Sequence, residues 1–331
     1  MNGSRLRPAY TPKPVGTTLE ATSLGSVALD RLSMGKGAVH SVFDGAINIM
    51  FPRGLVSLVP ESAGKGPLNV TLRLPDATAG LRSLAAEVGG EVVVNGPTLE
   101  LCGGRQILLA QAEIYHPDRS FRLPLLKRRR IWANSEAMRM VAIESGKMAG
   151  LGGLLELLAP IPTGAVNGKL NLFASAALMR IVSLENALLK EDRGALASTV
   201  HDMIGLGPGL TPSSDDMLAG LVLLSGLYSA NGGRISHSTM LLSEEVRAEV
   251  CGRTTRLSEE FLLQACSGNG NEPILRLCSA LLTGSKQSVE EETRRVLQIG
   301  ETSGTDMILG MILGARFCTG LPSGLAERRL R

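Results

Sequence analysis

The sequence predicts an α+β protein: a β-rich domain over residues 1–130, then a helical domain over residues 131–331. Three observations carry this reading. The first third is made of short runs rich in β-branched residues, set between Gly, Pro and Asn. After about residue 133 the apolar residues recur at spacings of three and four. Strands that precede helices, rather than alternate with them, favour α+β over a doubly wound sheet. With 44% apolar residues in 331, the chain can fill one large core or two moderate ones.

In chain order, strand character is read over 38–51, 54–59, 68–74, 91–101 and 105–110, with the "NGP" at 95–97 as a turn. Helical signals in this part are few, at 23–34 and 76–88. Helices are then expected within 134–158, 171–204, 239–266, 273–284 and 289–299. There Ser, Thr, Asn or Pro often stands before the apolar pattern and Gly after it. Aromatics are only 3%, so Leu, Val, Ile, Ala and Met must do the packing.

Charge and composition exclude several classes. A net charge of +3 gives no electrostatic case for nucleic acid. The basic run Lys127–Arg130 is read as a solvated turn. Five cysteines, Cys102, Cys251, Cys266, Cys278 and Cys318, form no CxxC pair and are read as free thiols. The N-terminal "MNGSRLRPAYTPKPVG" has no apolar centre, so no signal peptide is expected. The longest apolar stretch, 217–230, is short of the roughly 20 residues a membrane span needs. A cytoplasmic protein that binds neither nucleic acid nor membrane is expected. His40, His116, His201 and His237 are scattered without metal-ligand spacing.

One stretch stands apart: "IGLGPGLTPSSDDMLAG", 204–220. It is not a dinucleotide fingerprint, because Leu210 stands where the third glycine belongs and a helical pattern precedes it. It reads as a loop entering a helix, with Thr211 or Ser213 as cap, Pro212 in the first turn, and Ser213/Asp216 at capping-box spacing. The same device recurs without a gap at 300–314. Both copies read S-x-x-D-M-[LI]-x-G-x-x-L, pairing Ser213 with Ser303, Asp216 with Asp306, and Gly220 with Gly310. Asp and Gly four apart share a helix face, and the glycine admits another backbone. The expectation is that the two helix starts meet and that their N–H groups surround one anion pocket. Arg253 in "GRTTR" is the expected cation, with Arg256 as a further source. A metal site at Asp215, Asp216 and Asp306 stays open, against the roughly 100° between adjacent residues on a helix.

"GLGPGLTPSSDDMLAGLVL", "RTTRLSEEFLLQACSG" and "GETSGTDMILGMILG" together resemble the signature of the family that contains the third subunit of oxamate carbamoyltransferase, from anaerobic allantoin breakdown. "SVFDGAINIM", "LVSLVP" and "GKGPLNV" resemble its N-terminal part. Ser214 departs from the family's Ser-Gly-Asp-Asp. The resemblance implies carbamoyl transfer between carbamoyl phosphate and oxamate, giving oxalurate and phosphate, or the reverse, in a complex with other subunits. No cofactor or resident metal is implied. The S-x-R-T motif of aspartate and ornithine carbamoyltransferases is absent from the chain, so their mechanism does not carry over. Such chemistry needs donors for phosphate and for an oxyanion, and a group to handle the amine proton. On this reading Asp216, Asp306 and Arg253 are catalytic. Gly207, Gly209, Thr211, Ser213, Ser214, Asp215, Thr254, Thr302, Ser303 and Gly304 bind a small anionic substrate. The other reading is a noncatalytic interaction or regulatory subunit whose glycine motifs serve helix packing.

Overall fold

The computed structural model describes residues 18–33, 35–76, 80–158 and 170–320. The chain divides between Tyr115 and His116 into two compact units. The N-terminal segment expected not to be a signal peptide lies outside the described residues.

The first unit is a closed β-structure. Its elements are β1 (Leu19–Gly25), α1 (Ser26–Leu32), β2 (Lys36–Val42), β3 (Ile47–Phe51), β4 (Gly54–Pro60), β5 (Asn69–Arg73), β6 (Glu91–Asn95), β7 (Thr98–Leu101), β8 (Arg105–Leu108) and β9 (Glu113–Tyr115). The sheet runs β5-β4-β3-β2-β6-β7-β8-β1-β9, and β1 pairs back onto β5, which closes eight strands into a barrel. Closure removes the edges that an open sheet exposes. β1 holds the seam: antiparallel to β5 on one side, parallel to β8 and then β9 on the other. Ile47, Ile49, Leu58, Val70, Leu72, Leu99 and Ile107 fill the core. Buried polar groups among them are paired: Asn48 donates to Ser41 at 3.0 Å, Ser57 donates to Asn48 at 2.7 Å, and Ser23 donates to Thr71 at 2.7 Å.

The strand-like run 38–51 is a hairpin of β2 and β3, and 91–101 is a hairpin of β6 and β7 about the expected turn. The sequence reading missed β1 and β9, and it put a helix start inside β1. The expected helix at 76–88 is only a 3-10 turn, Leu81–Leu84, and 77–79 lies outside the described residues.

The second unit is helical. It contains α2 (Arg128–Ser145), a bent segment Met148–Gly152, α3 (Leu154–Leu157), α4 (Leu172–Leu189), α5 (Arg193–Met203) and α6 (Ser213–Ala230). α7 (His237–Glu249), α8 (Arg256–Cys266), α9 (Glu272–Thr283), α10 (Lys286–Val296) and α11 (Ser303–Thr319) follow. α6 and α11 are buried nearly all round, as expected of the central pair of a bundle. α4 is long and apolar enough by composition to cross a membrane, and its Ala177, Ile181, Leu184 and Leu188 lie in the helical core. Lys127–Arg130 are exposed at the start of α2.

Candidate functional site at the crossing of two parallel helices

The loop before α6 needs its glycines. Gly205, Gly207 and Gly209 have φ of +82°, +127° and +89°, a region that L side chains avoid. A Cβ on Gly205 would also stand 2.6 Å from the Arg253 carbonyl oxygen, and one on Gly207 2.6 Å from the Ser213 nitrogen. The loop thus folds tightly back on the helix start, where the Ser214 N–H donates to the Leu206 carbonyl at 3.0 Å. The N–H groups of Gly207, Gly209, Leu210 and Thr211 make no backbone hydrogen bond among the described residues.

The capping expected of Thr211 or Ser213 does not occur. Pro212 is the N-cap residue and no side chain caps α6, while Thr302 precedes α11 without a side-chain cap. The hydroxyls are used across the crossing instead. Thr211 Oγ1 lies 3.0 Å from Ser303 Oγ. Ser303 stands beside the Asp216 carboxyl, and Ser213 beside that of Asp306. Each copy of the motif therefore gives its Ser to the Asp of the other.

The glycines explain how this is reached. A Cβ on Gly220 would overlap the Met307 carbonyl oxygen, and one on Gly310 would overlap that of Met217 and lie 2.9 Å from the Leu221 nitrogen. Further along, Gly314 faces Leu221 and Ser225. Contacts that advance together along both chains mean that the helices run parallel, with both N-termini at one end. Two positive dipole ends side by side favour negative charge there, and both motifs supply it in the first turn.

A third segment, not foreseen from the sequence, closes over Asp306. The Leu151 N–H donates to Asp306 Oδ1 at 2.6 Å, and the Lys147 N–H donates to Thr305 Oγ1 at 2.9 Å. Gly150 leaves helical geometry, with ψ −122°, and its missing side chain makes room for the Asp306 carboxyl. Asn171 pins this bend by donating to the Gly150 carbonyl at 2.7 Å, while its own oxygen caps α4 through the Ala174 N–H at 2.8 Å.

Asp215 faces the other way. It accepts from the Gly205 N–H at 2.7 Å, from Ser258 at 2.7 Å and from the Thr254 hydroxyl. Thr255 caps α8 and also donates to the Leu210 carbonyl. Asp215 thereby ties the glycine loop, α6 and α8 together. Its carboxylate is occupied, and no group of three His, Cys, Asp or Glu that could hold a metal ion is found among the described residues. Ser258, Thr255 and Leu151 are contact residues that the motif reading did not single out.

The remaining expected residues are dispersed. Arg253 is exposed, and its guanidinium donates to the His201 carbonyl at 3.0 Å. Arg256 pairs with Glu259 at 2.6 Å and Glu260 at 3.5 Å. Gly304 packs on the Val296 carbonyl, and its N–H donates to the Ile299 carbonyl at 3.0 Å. Gly209 is exposed.

The electrostatics centre on two carboxyls. Asp216 is 6% exposed and Asp306 0%. Among the described residues, Asp216 Oδ2, Asp306 Oδ2 and Ser214 Oγ are buried without a hydrogen-bond partner. Burial pushes Asp216 up to about 8, with the charge of Asp306 adding to it and the Ser303 and Thr211 hydroxyls opposing. Those hydroxyls favour the charged form, but neither satisfies Oδ2, so burial dominates. Asp306 is also raised by burial, against the Leu151 N–H and the Ser213 and Thr302 hydroxyls. Asp215 is raised by burial in spite of its three donors.

Two family models match this chain. Residues 203–315, which hold the whole motif region, match the model described as oxamate carbamoyltransferase subunit AllH. Residues 20–114 match the AllH family N-terminal domain. The two matches together cover more than half of the sequence. No solved structure matches the chain.

Proposed function

This chain belongs to the AllH family of oxamate carbamoyltransferase subunits, and from that premise we propose that it works in a cytoplasmic complex that transfers a carbamoyl group between phosphate and oxamate. The family's name makes it one subunit of a carbamoyltransferase, so other subunits complete the enzyme. The reaction assigned is carbamoyl phosphate plus oxamate giving oxalurate and phosphate, or its reverse in catabolism. The observation that carries the reading is the reciprocal Ser–Asp crossing, with two buried carboxyl oxygens left unpartnered at paired helix N-termini. Packing alone would not place such groups there, because an unpartnered buried carboxylate costs stability. The N–H groups of Gly207, Gly209, Leu210 and Thr211 and both dipole ends suit an anionic substrate. Asp216 and Asp306 suit its amide nitrogen.

The noncatalytic reading has its own support, since Gly220, Gly310 and the inward-facing Asp215 are fully explained by packing. Reconstitution with the partner subunits separates the two. Phosphate-dependent breakdown of oxalurate is measured with the wild-type chain and with Asp216→Asn. A catalytic site predicts a loss of about 100-fold or more in turnover with assembly intact, in line with loss of a general acid or base. Unchanged turnover would leave only the packing role.

A further inference from the structure

We propose that Asp216 and Asp306 act as one unit, a carboxyl pair that holds a single shared proton at the α6–α11 crossing and exchanges it with an amide nitrogen of the bound substrate. The hand-off rests on the proposed carbamoyl transfer; the shared proton does not. The motif symmetry places the two carboxyls together, each beside the other copy's serine. Both are buried, and each keeps one oxygen with no partner among the described residues. Among the described residues, no cation bonds to either carboxyl. Asp215 on α6 is turned to Thr254 and Ser258. The bend from Lys147 to Leu151 donates through backbone N–H groups, the one from Lys147 to Thr305 and the one from Leu151 to Asp306, and the Lys147 side chain is exposed. Arg253 is spent on the His201 carbonyl. Two carboxylates in such a place cannot both be ionised cheaply, and one proton held by the pair relieves the like charge between them. The midpoint of Asp216 near 8, raised in part by the charge of Asp306, agrees with this arrangement.

A pair in this state is both acid and base. When oxalurate is broken down, a phosphate oxygen bonds to the carbamoyl carbon and the bond from that carbon to the oxamate nitrogen breaks. The nitrogen's electron pair takes the shared proton, giving the neutral amide of oxamate, and the proton that the hydrogen phosphate loses on bonding to carbon passes to the pair, which so keeps one proton. In the opposite direction the oxamate nitrogen bonds to the carbamoyl carbon of carbamoyl phosphate. The carbon–oxygen bond to phosphate breaks, the freed phosphate oxygen takes the pair's proton, and the nitrogen's proton replaces it on the pair.

The test is carbon-13 NMR of the full chain labelled at the aspartate carboxyl carbons, titrated across pH for wild type, Asp306→Asn and Ser303→Ala. Shared protonation predicts a carboxyl that stays protonated above pH 7. It also predicts that Asp306→Asn lowers the Asp216 midpoint by about one pH unit or more, as uncoupling requires, while Ser303→Ala raises it. Ser303→Ala is the second route should Asp306→Asn fail to fold. An Asp216 carboxyl ionised by pH 6, or one indifferent to both variants, overturns the shared proton. So does saturable displacement of the proton by added Mg2+, which would make the pair a cation site. For the hand-off, the basic limb of the pH–rate profile in the assembled enzyme must move upward with Ser303→Ala; an unmoved limb overturns it. A complex that forms but transfers no carbamoyl group overturns the reading of the site and the hand-off together, and the NMR result for the shared proton stands by itself.

Discussion

Asp215 and Asp216 are neighbours that burial shifts in the same direction but that differ in their partners. Asp215 accepts three hydrogen bonds, so removing it strands three donors on other elements. Asp215→Ala is expected to cost about 3 kcal/mol, lowering the melting temperature by about 6–12 °C for a unit of this size. Calorimetry of the intact chain checks this. Asp216 has a raised midpoint, and the sign follows from linkage. An unfolded Asp216 releases its proton near 3.8, whereas the folded one holds it to about 8. Over that window the folded state binds more protons, so its contribution to stability is present below about 4 and is lost as pH rises to about 8. Asp216→Asn removes that dependence. The variant is expected to melt below wild type at pH 4 and above it at pH 9, the difference spanning about 2–4 kcal/mol. Melting curves that stay parallel across this range would contradict the assignment. The approach of the two helix starts was legible because the repeat lies in the sequence as two matching copies, but the partners of Asp216 were not, since capping-box spacing pointed to Ser213 and the structure sets Ser303 and Thr211 there. Thr254 and Ser258 lie in the motif at 253–258, but their contact with Asp215 was not legible, since it is reached through tertiary packing. Leu151 contributes only a backbone N–H, which every residue except proline has. The cluster of glycines about Gly150 was the one available signal for it.

At the scale of elements, the repeated motif is a crossing device. Gly310→Ala forces a methyl onto the Met217 carbonyl, with backbone rather than a flexible side chain in the way. The expected cost is about 2–3 kcal/mol. Gly226 lies on α6 with open space where its Cβ would be. There Gly→Ala removes backbone freedom from the unfolded chain and is expected to stabilise by about 0.5–1 kcal/mol. Denaturant midpoints of the two variants should therefore move in opposite directions; both moving down would mean that the crossing is not what makes Gly310 necessary. The helical period covered the helices from 171 onward, but it ran α4 into α5 over 171–204 and α7 into α8 over 239–266. It failed at the starts of α6 and α11, where hydroxyls capable of capping are used across the crossing. It also failed at β1, whose role as barrel seam depends on β5, β8 and β9, all distant in sequence.

On the scale of the whole chain, the two units have separate cores. The buried apolar residues of the barrel and those of the helical unit form two clusters with no member in common. The switch from strand runs to three-and-four spacing records this division, since each periodicity serves its own core. Ile107 is fully buried among the barrel residues. Ile107→Ala leaves a cavity there and is expected to cost about 2–5 kcal/mol. That loss should raise amide exchange across residues 19–115, because those strands share the one core and open with it. The amides of α6 and α11 draw their protection from the other cluster, which contains Met217, Leu221, Leu309 and Ile312. Hydrogen-exchange mass spectrometry of the variant is therefore expected to show faster exchange in barrel peptides and unchanged exchange in peptides from 213–230 and 303–319. Equal acceleration in both sets would mean that the cores unfold as one. The candidate site would then depend on the barrel for its stability, and substitutions in either unit would reach it.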